Sequence, residues 1–509
     1  MRGRVRLAAL AACVCLALPA HDLITTRVTW NREISRLVYG RCTSCHRDGG
    51  SAFSLATYEE ARPWAKAIKE EVLERRMPPF GAVKGFGDLR DDHSLTEEQI
   101  EVITSWVEGG APEGDAALLP KNLDLNPAPS PAPRGGSEWL VEGSRVLPRA
   151  MTFGGIKPKT LAEGSSTRII ARRPDGTVVP MLWIYQYREK FARTYYFREP
   201  LRFPAGTTIT ASAGNIALLA GTTEPARPRI VAKTAPAPAA AAPQGDYVCP
   251  MDPEVRSPQP GKCSRCGMAL VLGIPDQSEY PLELTTTPPV LRPGEKVRLR
   301  FTLRDPKSGA VVKNFEIMHE RLFHMFIVSG DLQYFLHDHP VQQPDGSFVF
   351  DEVFPKPGMY RVVADVYPSA GTPQLIPRTL FVGEAVAMDA AALTPDNSLQ
   401  HGENTDVSLT TDPARPVAGI KTHLFFKLGT ADGLEKYLGA WAHMLISSDD
   451  TIDLIHEHPF IADGGPEMQF DILFPRARTY RVWVQFERKG VVNTIAVNIP
   501  VITLEQSAQ

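Results

Sequence analysis

Three residues near the start of the chain have the types and the spacing that attach a c-type haem. Cys42 and Cys45 are separated by two residues, and His46 follows directly. In such a C-x-x-C-H sequence each thiol can add to one vinyl group of the porphyrin, and the histidine can reach the iron as an axial ligand. Met77 precedes two prolines, whose fixed φ angles make its loop rigid, and it is the candidate for the second axial position. A haem held by histidine and methionine carries single electrons at a raised potential, so the motif predicts covalent haem c and one-electron transfer.

Two other interpretations compete for this motif. Cys42 and Cys45 could form a disulfide or half of a zinc site, but either arrangement would leave His46 without a role. His93 is the rival of Met77 for the sixth position on the iron.

Length and composition indicate which elements must position these residues. The chain has 509 residues, too many for one hydrophobic core, so roughly three to five domains are expected. The net charge is −3 with both signs interspersed, which indicates neither nucleic acid nor a membrane surface as a partner. The 45 prolines and 39 glycines suit β-rich modules joined by linkers. The seven cysteines show no disulfide framework, since two belong to the haem motif and three stand together further along.

Residues 1–20 have the pattern of a cleaved signal peptide. Three arginines precede an apolar run from Leu7 to Leu18, and Pro19-Ala20 is a plausible cleavage site. The run is too short to span a bilayer, and its part before Cys13 is short for a lipoprotein signal. We therefore expect a periplasmic or secreted protein without a transmembrane span.

Composition and periodicity divide the rest of the chain into modules. Apolar residues at helical spacing precede alternating, β-rich patterns, and Pro- and Ala-rich stretches separate them. The predicted boundaries are a signal peptide at 1–20, a helical domain at 21–115, a linker at 116–137, a β-sandwich at 138–222, a linker at 223–245, a cysteine-containing module at 246–275, and two β-sandwich repeats at 276–385 and 386–504.

The cysteine-containing module carries a second set of candidate ligands. Cys263 and Cys266 form a knuckle that can present two thiolates to one ion, and Cys249 can supply a third across a small hairpin. Thiolates favour soft ions such as Cu(I), with Zn(II) as the alternative metal. The competing interpretation is one disulfide with a spare thiol, which an oxidising compartment permits.

The two repeats carry a third set, made of histidines. His324, His337 and His339 recur at a constant offset of 119 residues, so the same three positions are filled in both copies. The second copy carries His443, His456 and His458.

Hairpin geometry predicts how these histidines are placed. A two-residue turn at Gly330-Asp331 puts His324 directly opposite His337, and His339 faces the same side. A turn at Asp449-Asp450 does the same in the second copy, with His443 opposite His456 and His458 on their face. The pattern predicts up to one Cu(II) or Zn(II) per copy. The alternative is that these histidines pack or hydrogen-bond within each sandwich. His319 could add a fourth ligand in the first copy, whereas its counterpart in the second is Leu438.

Four resemblances to known families follow from these motifs. Residues 30–115 resemble a class I-type bacterial cytochrome c domain, through the sequences at 42–46, 76–80 and 106–112. This resemblance implies thioether bonds to Cys42 and Cys45, and His46 and Met77 as axial ligands. The cysteine-containing module resembles the heavy-metal-binding domain of copper-efflux proteins, with Asp252 where that family usually carries histidine.

The other two resemblances imply fold more than activity. Residues 138–222 look like the C-terminal domain of copper type II, ascorbate-dependent monooxygenases, through the sequences at 173–177 and 198–207. That family binds copper through a histidine pair and a methionine, but this chain has no histidine between His93 and His319. We therefore expect a degenerate, structural sandwich. The H-x-H-P hairpins of the repeats are similar to Ig-like domains of exported bacterial proteins.

The expected fold is a multidomain α + β chain, with a small all-α cytochrome c domain followed by β-sandwiches and a small cysteine-containing module. The expected function is that of an exported c-type cytochrome that transfers single electrons and handles copper or another heavy metal, with redox proteins and metal ions as partners. The alternatives are a haem- and copper-dependent oxidoreductase with its copper in the histidine repeats, and a periplasmic metal-binding scaffold with a redox-sensing haem. No nucleophile–base pair, phosphate loop or paired-carboxylate signature is present, so we predict no catalytic residues.

Overall fold

The computed structural model describes most of the chain. The residues described are 24–121, 136–189, 192–221, 247–250, 254–264, 267–272, 278–369, 371–384, 390–396, 398–430, 433–460 and 462–507. The expected signal peptide, Asp252 and Cys266 lie outside these residues. Among the described residues, no helix is long and apolar enough to cross a membrane.

The amino-terminal segment contains short helices around one small core. A π-helical turn, Trp30–Ile34, leads into α1, Ser35–Arg41, and the later elements are α2, Tyr58–Ala61, a 3-10 turn, Arg62–Trp64, α3, Ala65–Leu73, α4, Glu97–Glu108, and a 3-10 turn, Ala116–Leu118. Thr57 and Thr96 start α2 and α4 with capping boxes, in which each threonine side chain accepts from a backbone N–H three residues on. Trp30 and Trp106 are the largest fully buried side chains of this core.

The expected all-α cytochrome c domain is wrong as a description of this segment. Only short helices occur here, and the molecule consists mostly of β-sheets. The physical reason lies in the residues between α3 and α4, whose apolar side chains are buried elsewhere. Phe80, Ala82 and Leu89 belong to the core of the following sandwich, and Val83 N donates to Trp183 O over 2.9 Å. The helices and the first sheet therefore share one packed body.

The first sheet is antiparallel and six-stranded. Its strands are β1, Ser137–Val146, β2, Met151–Thr160, β3, Thr167–Arg172, β4, Val178–Ile184, β5, Tyr195–Phe203, and β6, Thr208–Ala220. The order is β4-β3-β6-β2-β5, and β1 also pairs with β6. The cysteine-containing module that follows is a small sheet in the order β8-β7-β9, formed by β7, Tyr247–Val248, β8, Arg256–Ser257, and β9, Val271–Leu272.

The two histidine repeats each have two four-stranded sheets, and their histidine-bearing sheets correspond strand for strand. In repeat 1 the strands are β10, Leu282–Thr287, β11, Lys296–Leu303, β12, Phe323–Ser329, β13, Phe335–Asp338, β14, Val341–Gln342, β15, Phe348–Val353, β16, Gly358–Val366, and β17, Gln374–Val382. Its sheets are β10-β11-β15-β14 and β13-β12-β16-β17.

Within the described residues, repeat 2 also has eight strands, but its first sheet begins with an additional short strand and ends at the equivalent of β15. Its strands are β18, Gln400–His401, β19, Asp406–Asp412, β20, Lys421–Leu428, β21, His443–Ser448, β22, Leu454–Glu457, β23, Glu467–Leu473, β24, Thr479–Arg488, and β25, Val491–Pro500. The sheets are β18-β19-β20-β23 and β22-β21-β24-β25, and a short helix, α5, Leu504–Ser507, follows.

The histidine-bearing sheets of the two repeats pack against each other. Along β12, Met325 and Ile327 point into the core of repeat 1, and the alternate residues point away from it. Phe326 and Val328, on that outer face, form a separate buried cluster with Leu445 of repeat 2. Because both faces of β12 are covered, every residue of this strand is buried. The outer faces of the two sheets are where the histidines lie.

A histidine centre between the two repeats

The hairpin register differs from the predicted one by two residues. Phe326, rather than His324, pairs with His337, and Leu445, rather than His443, pairs with His456. The connection is longer than two residues, since Ser329 N donates to Tyr334 O over 3.2 Å. The predicted pairing is therefore wrong in both copies. A shift of two residues preserves the face on which a side chain lies, so the predicted grouping of the histidines survives this error.

In repeat 1 the three predicted histidines lie together. The Nδ1 atom of His324 is 3.2 Å from the Nε2 atom of His337 and 3.2 Å from the Nε2 atom of His339. His324 and His337 are buried, and His339 is half-buried.

In repeat 2 the equivalent atoms are arranged in the same way. The Nδ1 atom of His443 is 3.1 Å from the Nε2 atom of His458. His443, His456 and His458 place their ligating atoms within 4.8 Å of one another.

The two triads form one cluster, here called the histidine centre, which comprises His324, His337, His339, His443, His456 and His458. Ligating atoms of His324 and His337 lie within 4.8 Å of one from His443, which belongs to the other repeat. The ring centroids of His337 and His443 are 5.1 Å apart. The sequence predicted one site in each copy but did not predict that the two sites adjoin.

Backbone carbonyls set the tautomer of the first histidine in each triad. His324 Nε2 is 2.9 Å from Met318 O, and His443 Nε2 is 3.1 Å from Tyr437 O. A carbonyl oxygen can only accept, so each Nε2 carries the hydrogen and each Nδ1 keeps its lone pair. These Nδ1 atoms are the ones that point into the centre.

Polar side chains of the opposite repeat orient the second histidine in each triad. His337 Nδ1 donates to Gln485 Oε1 over 2.9 Å, and His456 Nδ1 donates to Asp365 Oδ2 over 2.7 Å. Gln485 Nε2 donates to Thr494 Oγ1, which turns the amide oxygen toward His337. The Nε2 atoms of both histidines therefore keep their lone pairs toward the centre. Sequence reasoning missed Asp365 and Gln485, although a polar residue at the same place in two apolar strands was a usable signal.

Two buried nitrogens at the centre have no hydrogen-bond partner. They are Nε2 of His456 and Nε2 of His319. The ring of His319 lies 3.9 Å from that of His458, centroid to centroid, so this histidine of repeat 1 contacts the triad of repeat 2. Buried polar atoms are nearly always paired, and an unpaired one indicates an ion or a water.

Burial lowers the pKa of His319 and of five histidines of the centre and keeps them neutral. Desolvation lowers the pKa of His324 to about 4, and that of His319 and His339 to about 3. It lowers the pKa of His337, His443 and His458 well below the usual value, and neighbouring histidines add to the effect. Neutral imidazole is the form that binds a metal.

A groove borders the histidine centre at its repeat 2 end. His456 and His458 line this groove of about 600 Å³, which Asp365 also lines. Arg41, the residue before the first cysteine of the haem motif, lies on the wall of the same groove. The groove therefore lies beside the buried histidines of repeat 2.

The haem motif has two thiols and one oriented imidazole at the surface. Cys42, Cys45 and His46 are half-buried, and His46 Nδ1 is 2.9 Å from Phe53 O. That carbonyl accepts from Nδ1, which leaves the lone pair of Nε2 available. Desolvation raises the pKa of the Cys42 thiol to about 12, so this thiol stays protonated at neutral pH.

Met77 and His93, the candidate sixth ligands, lie beside residues outside the haem motif. Met77 lines a separate cavity with Val72, Leu95 and Ile100, whose described lining does not include His46. The ring of His93 lies 6.5 Å from that of Phe80, centroid to centroid. The role of Met77 as an axial ligand stays a prediction.

In the cysteine-containing module two of the three predicted ligands lie together. Cys249 and Cys263 are buried in one cluster with Leu270. The third, Cys266, lies outside the described residues.

Two family models match different modules of this chain. Residues 247–271 match the family model of the heavy metal binding domain. The predicted resemblance of the cysteine-containing module is thereby confirmed, and it supports metal handling by this chain. Residues 276–383 and 400–502, the two histidine repeats, match a domain of unknown function, DUF8832. No curated protein matches the chain. Neither the cytochrome c resemblance nor the monooxygenase resemblance is shown.

Several solved structures are similar to this chain at low identity. An Escherichia coli adhesin, FdeC, is 13% identical, with 73% of this chain and 99% of that chain covered and a TM-score of 0.16. A Ca²⁺-stabilised, ice-binding adhesin of an Antarctic bacterium is 9% identical, with 73% and 75% covered and a TM-score of 0.15. Two fibronectin type III domains of chicken tenascin are 10% identical, with 44% and 99% covered and a TM-score of 0.14. TM-scores this low carry no functional argument.

Proposed function

We propose that this protein binds transition-metal ions in the histidine centre, one ion in each triad. One observation carries the proposal. His324 Nδ1 and His337 Nε2 each hold a lone pair, because carbonyl oxygens accept from their other nitrogens, yet the two atoms are 3.2 Å apart. Two lone pairs at this distance repel each other unless a cation lies between them.

The distances fit a metal better than packing alone. With metal–nitrogen bonds of about 2.0–2.1 Å, two nitrogens of a tetrahedral site lie about 3.3 Å apart. The nitrogen pairs of the two triads are separated by 3.2 Å and 3.1 Å. The alternative of histidines that only hydrogen-bond to one another would also leave His456 Nε2 unsatisfied.

Copper is the metal that the donor set and its surroundings favour. Imidazole nitrogens suit both copper and zinc, and the ligating clusters include no carboxylate. The neighbouring heavy metal binding domain offers thiolates, which favour Cu(I). We therefore propose copper as the resident ion, with zinc as the competing outcome.

A metal titration of the purified, metal-free full chain tests this proposal. We expect two Cu(II) ions in the histidine centre, with nitrogen hyperfine coupling in the electron paramagnetic resonance spectrum, which separates them from thiolate-bound copper. His337→Gln with His456→Gln should remove both ions. His401→Gln, at an exposed histidine of repeat 2, is the matched control and should bind as the wild type does. Wild-type uptake by the double variant, or no nitrogen-bound copper in the wild type, would overturn the proposal.

We also propose that Cys42, Cys45 and His46 hold haem c in an exported protein. Two observations support a fit to that group. The Nε2 lone pair of His46 is available, and the exposed aromatic rings of Phe53 and Trp64 lie beside it, at 4.9 Å from His46 to Phe53 and 4.6 Å from Phe53 to Trp64. Exposed aromatic surface of this kind suits a flat, apolar macrocycle. When bound, haem supplies one-electron redox chemistry.

Covalent attachment is the test of the haem proposal. The full chain, expressed in an exporting host that matures c-type cytochromes, should keep haem after denaturation and show a sharp c-type α band on reduction. Cys42→Ala with Cys45→Ala should lose the covalent haem. A matured wild-type sample without covalent haem would contradict this assignment.

A further inference from the structure

The heavy metal binding domain packs against the loop of repeat 1 that leads into the histidine centre. Met268 of that domain, and Met318 and Tyr367 of repeat 1, form one buried cluster with exposures of 5%, 1% and 7%. Two thioethers thus occupy the contact between a thiolate site and an imidazole site.

Short backbone connections join each methionine to the ligands on its own side. Cys263 N donates to Met268 O over 2.7 Å, so this cysteine and this methionine belong to one tight turn. On the other side, Met318 O accepts from His324 Nε2, and His319 is the next residue along the chain. The candidate sulfur ligands and imidazole ligands are therefore connected by direct contacts in one series, from Cys263 through the two methionines to His324.

His319 follows Met318 in the chain and belongs to this series. Its Nε2 atom is buried without a partner, and its ring lies against that of His458.

The comparison of the two repeats gives an independent reason to assign a role to these residues. At the offset of 119, the counterpart of Met318 is Tyr437 and that of His319 is Leu438. The sheets, the triads and the carbonyl contacts are repeated, but the additional donors occur only in the repeat against which the heavy metal binding domain packs. A purely structural loop would not need different donor atoms in this copy.

We propose that Cu(I) passes within the chain from Cys249 and Cys263, through Met268 and Met318, to His319 and the histidine centre. The proposal rests on the metal-binding function of that centre. The ion stays Cu(I) throughout, so no oxidant or reductant is needed. Each step forms one copper–sulfur or copper–nitrogen bond as a preceding bond breaks, and the released thiolates take up protons from solvent. Thioethers bind Cu(I) but are poor ligands for Zn(II), so the route is selective for Cu(I).

The rate of loading tests this transfer route. Metal-free, reduced full chain is mixed anaerobically with the coloured Cu(I) complex of bicinchoninate, and freeze-quenched samples are followed by copper X-ray absorption. We expect sulfur ligation first and nitrogen ligation later. Met268→Leu with Met318→Leu keeps the apolar volume but removes both sulfurs, and it should slow the appearance of nitrogen-bound copper at least tenfold. Met468→Leu, in the core of repeat 2, is the matched control and should load at the wild-type rate.

Two measurements separate failure of this route from failure of the metal centre. If wild-type protein holds no nitrogen-bound copper at equilibrium, the histidine centre itself is refuted. If equilibrium occupancy is normal and the double methionine variant loads as fast as the wild type, only the route is refuted. Direct loading with Cu(II) should be equal in all variants, which reports that they are folded. If the double variant does not fold, Met318→Leu alone serves, and loading at the wild-type rate would again overturn the route.

Discussion

Asp365 and Gln485 occupy equivalent positions in the two repeats, and each accepts a hydrogen bond from a histidine of the other repeat. Asp365 Oδ2 is 2.7 Å from His456 Nδ1, and Gln485 Oε1 is 2.9 Å from His337 Nδ1. The two histidines are themselves equivalent, so the exchange is reciprocal across the interface between the repeats. The two accepting groups differ only in their chemistry, since repeat 1 supplies the carboxylate of Asp365 and repeat 2 the amide of Gln485. Because a carboxylate partner raises the basicity of a metal-binding imidazole, the two triads should bind metal unequally.

Asp365→Asn should weaken metal binding by the triad of repeat 2. The substitution keeps the shape and the hydrogen bond but removes the charge that strengthens His456 as a ligand. We expect the affinity of one of the two ions to fall by about 10–100-fold, as measured by competition with a chelator. Gln485→Glu is the reciprocal change and should strengthen the other site. Equal affinities in the wild type and in both variants would contradict the inequivalence of the triads.

His319→Leu should weaken the same site by another route. His319 contacts His458 and carries an unpartnered nitrogen, so it can act as a fourth ligand to the repeat 2 triad. Its replacement by the residue found in the other repeat should lower Cu(II) affinity and change the nitrogen hyperfine pattern. Leu438→His, the reverse substitution in repeat 2, is the comparison variant. An unchanged spectrum of His319→Leu would show that this histidine is not a ligand.

The metal-free protein should lose stability as the pH falls from 6.5 to 4. Burial holds the pKa of His324 at about 4 and that of His339 at about 3, against a usual value near 6.5. In this window the unfolded chain binds protons that the folded chain does not, so the free energy of unfolding increases with pH and levels off above 6.5. Thermal denaturation with a chelator present measures this dependence.

A variant without some of these histidines provides the control for the pH effect. Replacement of His337 and His458 by glutamine should make the midpoint less dependent on pH in the same window, because both have a lowered pKa. The same slope as in the wild type would assign the effect to other groups.

Arg476→Ala should destabilise repeat 2 by about 3–5 kcal/mol. The guanidinium is buried, and it donates to Asp453 Oδ2 and to Asp450 Oδ1 over 2.8 Å in each case. It also donates to the hydroxyl of Tyr185, the residue after β4, over 2.7 Å. Its removal leaves the buried carboxylates of Asp450 and Asp453 without one of the positive charges that balance them. Chemical denaturation of the metal-free chain measures the loss.

Arg478→Ala is the matched control for this network. Arg478 lies two residues on at the partly exposed edge of the network, where it pairs with Asp449 and, over 3.3 Å, with Asp450. Pairs of this kind contribute about 1 kcal/mol or less. A loss from Arg476→Ala no larger than that from Arg478→Ala would show that the buried network does not stabilise repeat 2.

Local pattern was enough to predict which residues share a face. The repeated histidines, the cysteine cluster and the strands around them follow from spacing along the chain, because side chains alternate across a strand. The same rule explains why the predicted grouping of the histidines was correct although the register was wrong. A shift of two residues leaves His337 and His456 on the same faces of their strands. Turn length is not encoded by alternation, and this is where the hairpin prediction failed.

Spacing could not predict which surfaces meet. The expected helical domain was wrong because Phe80 and Leu89 are buried in a sandwich that lies further along the chain. The pairing of His456 with Asp365, and the packing of Met268 on Met318, join residues that are far apart in sequence. Spacing along the chain therefore specifies the candidate ligands and the faces that carry them. That two such faces pack together follows from the folded molecule, in which burial of the apolar residues around the histidines brings six imidazoles into one centre.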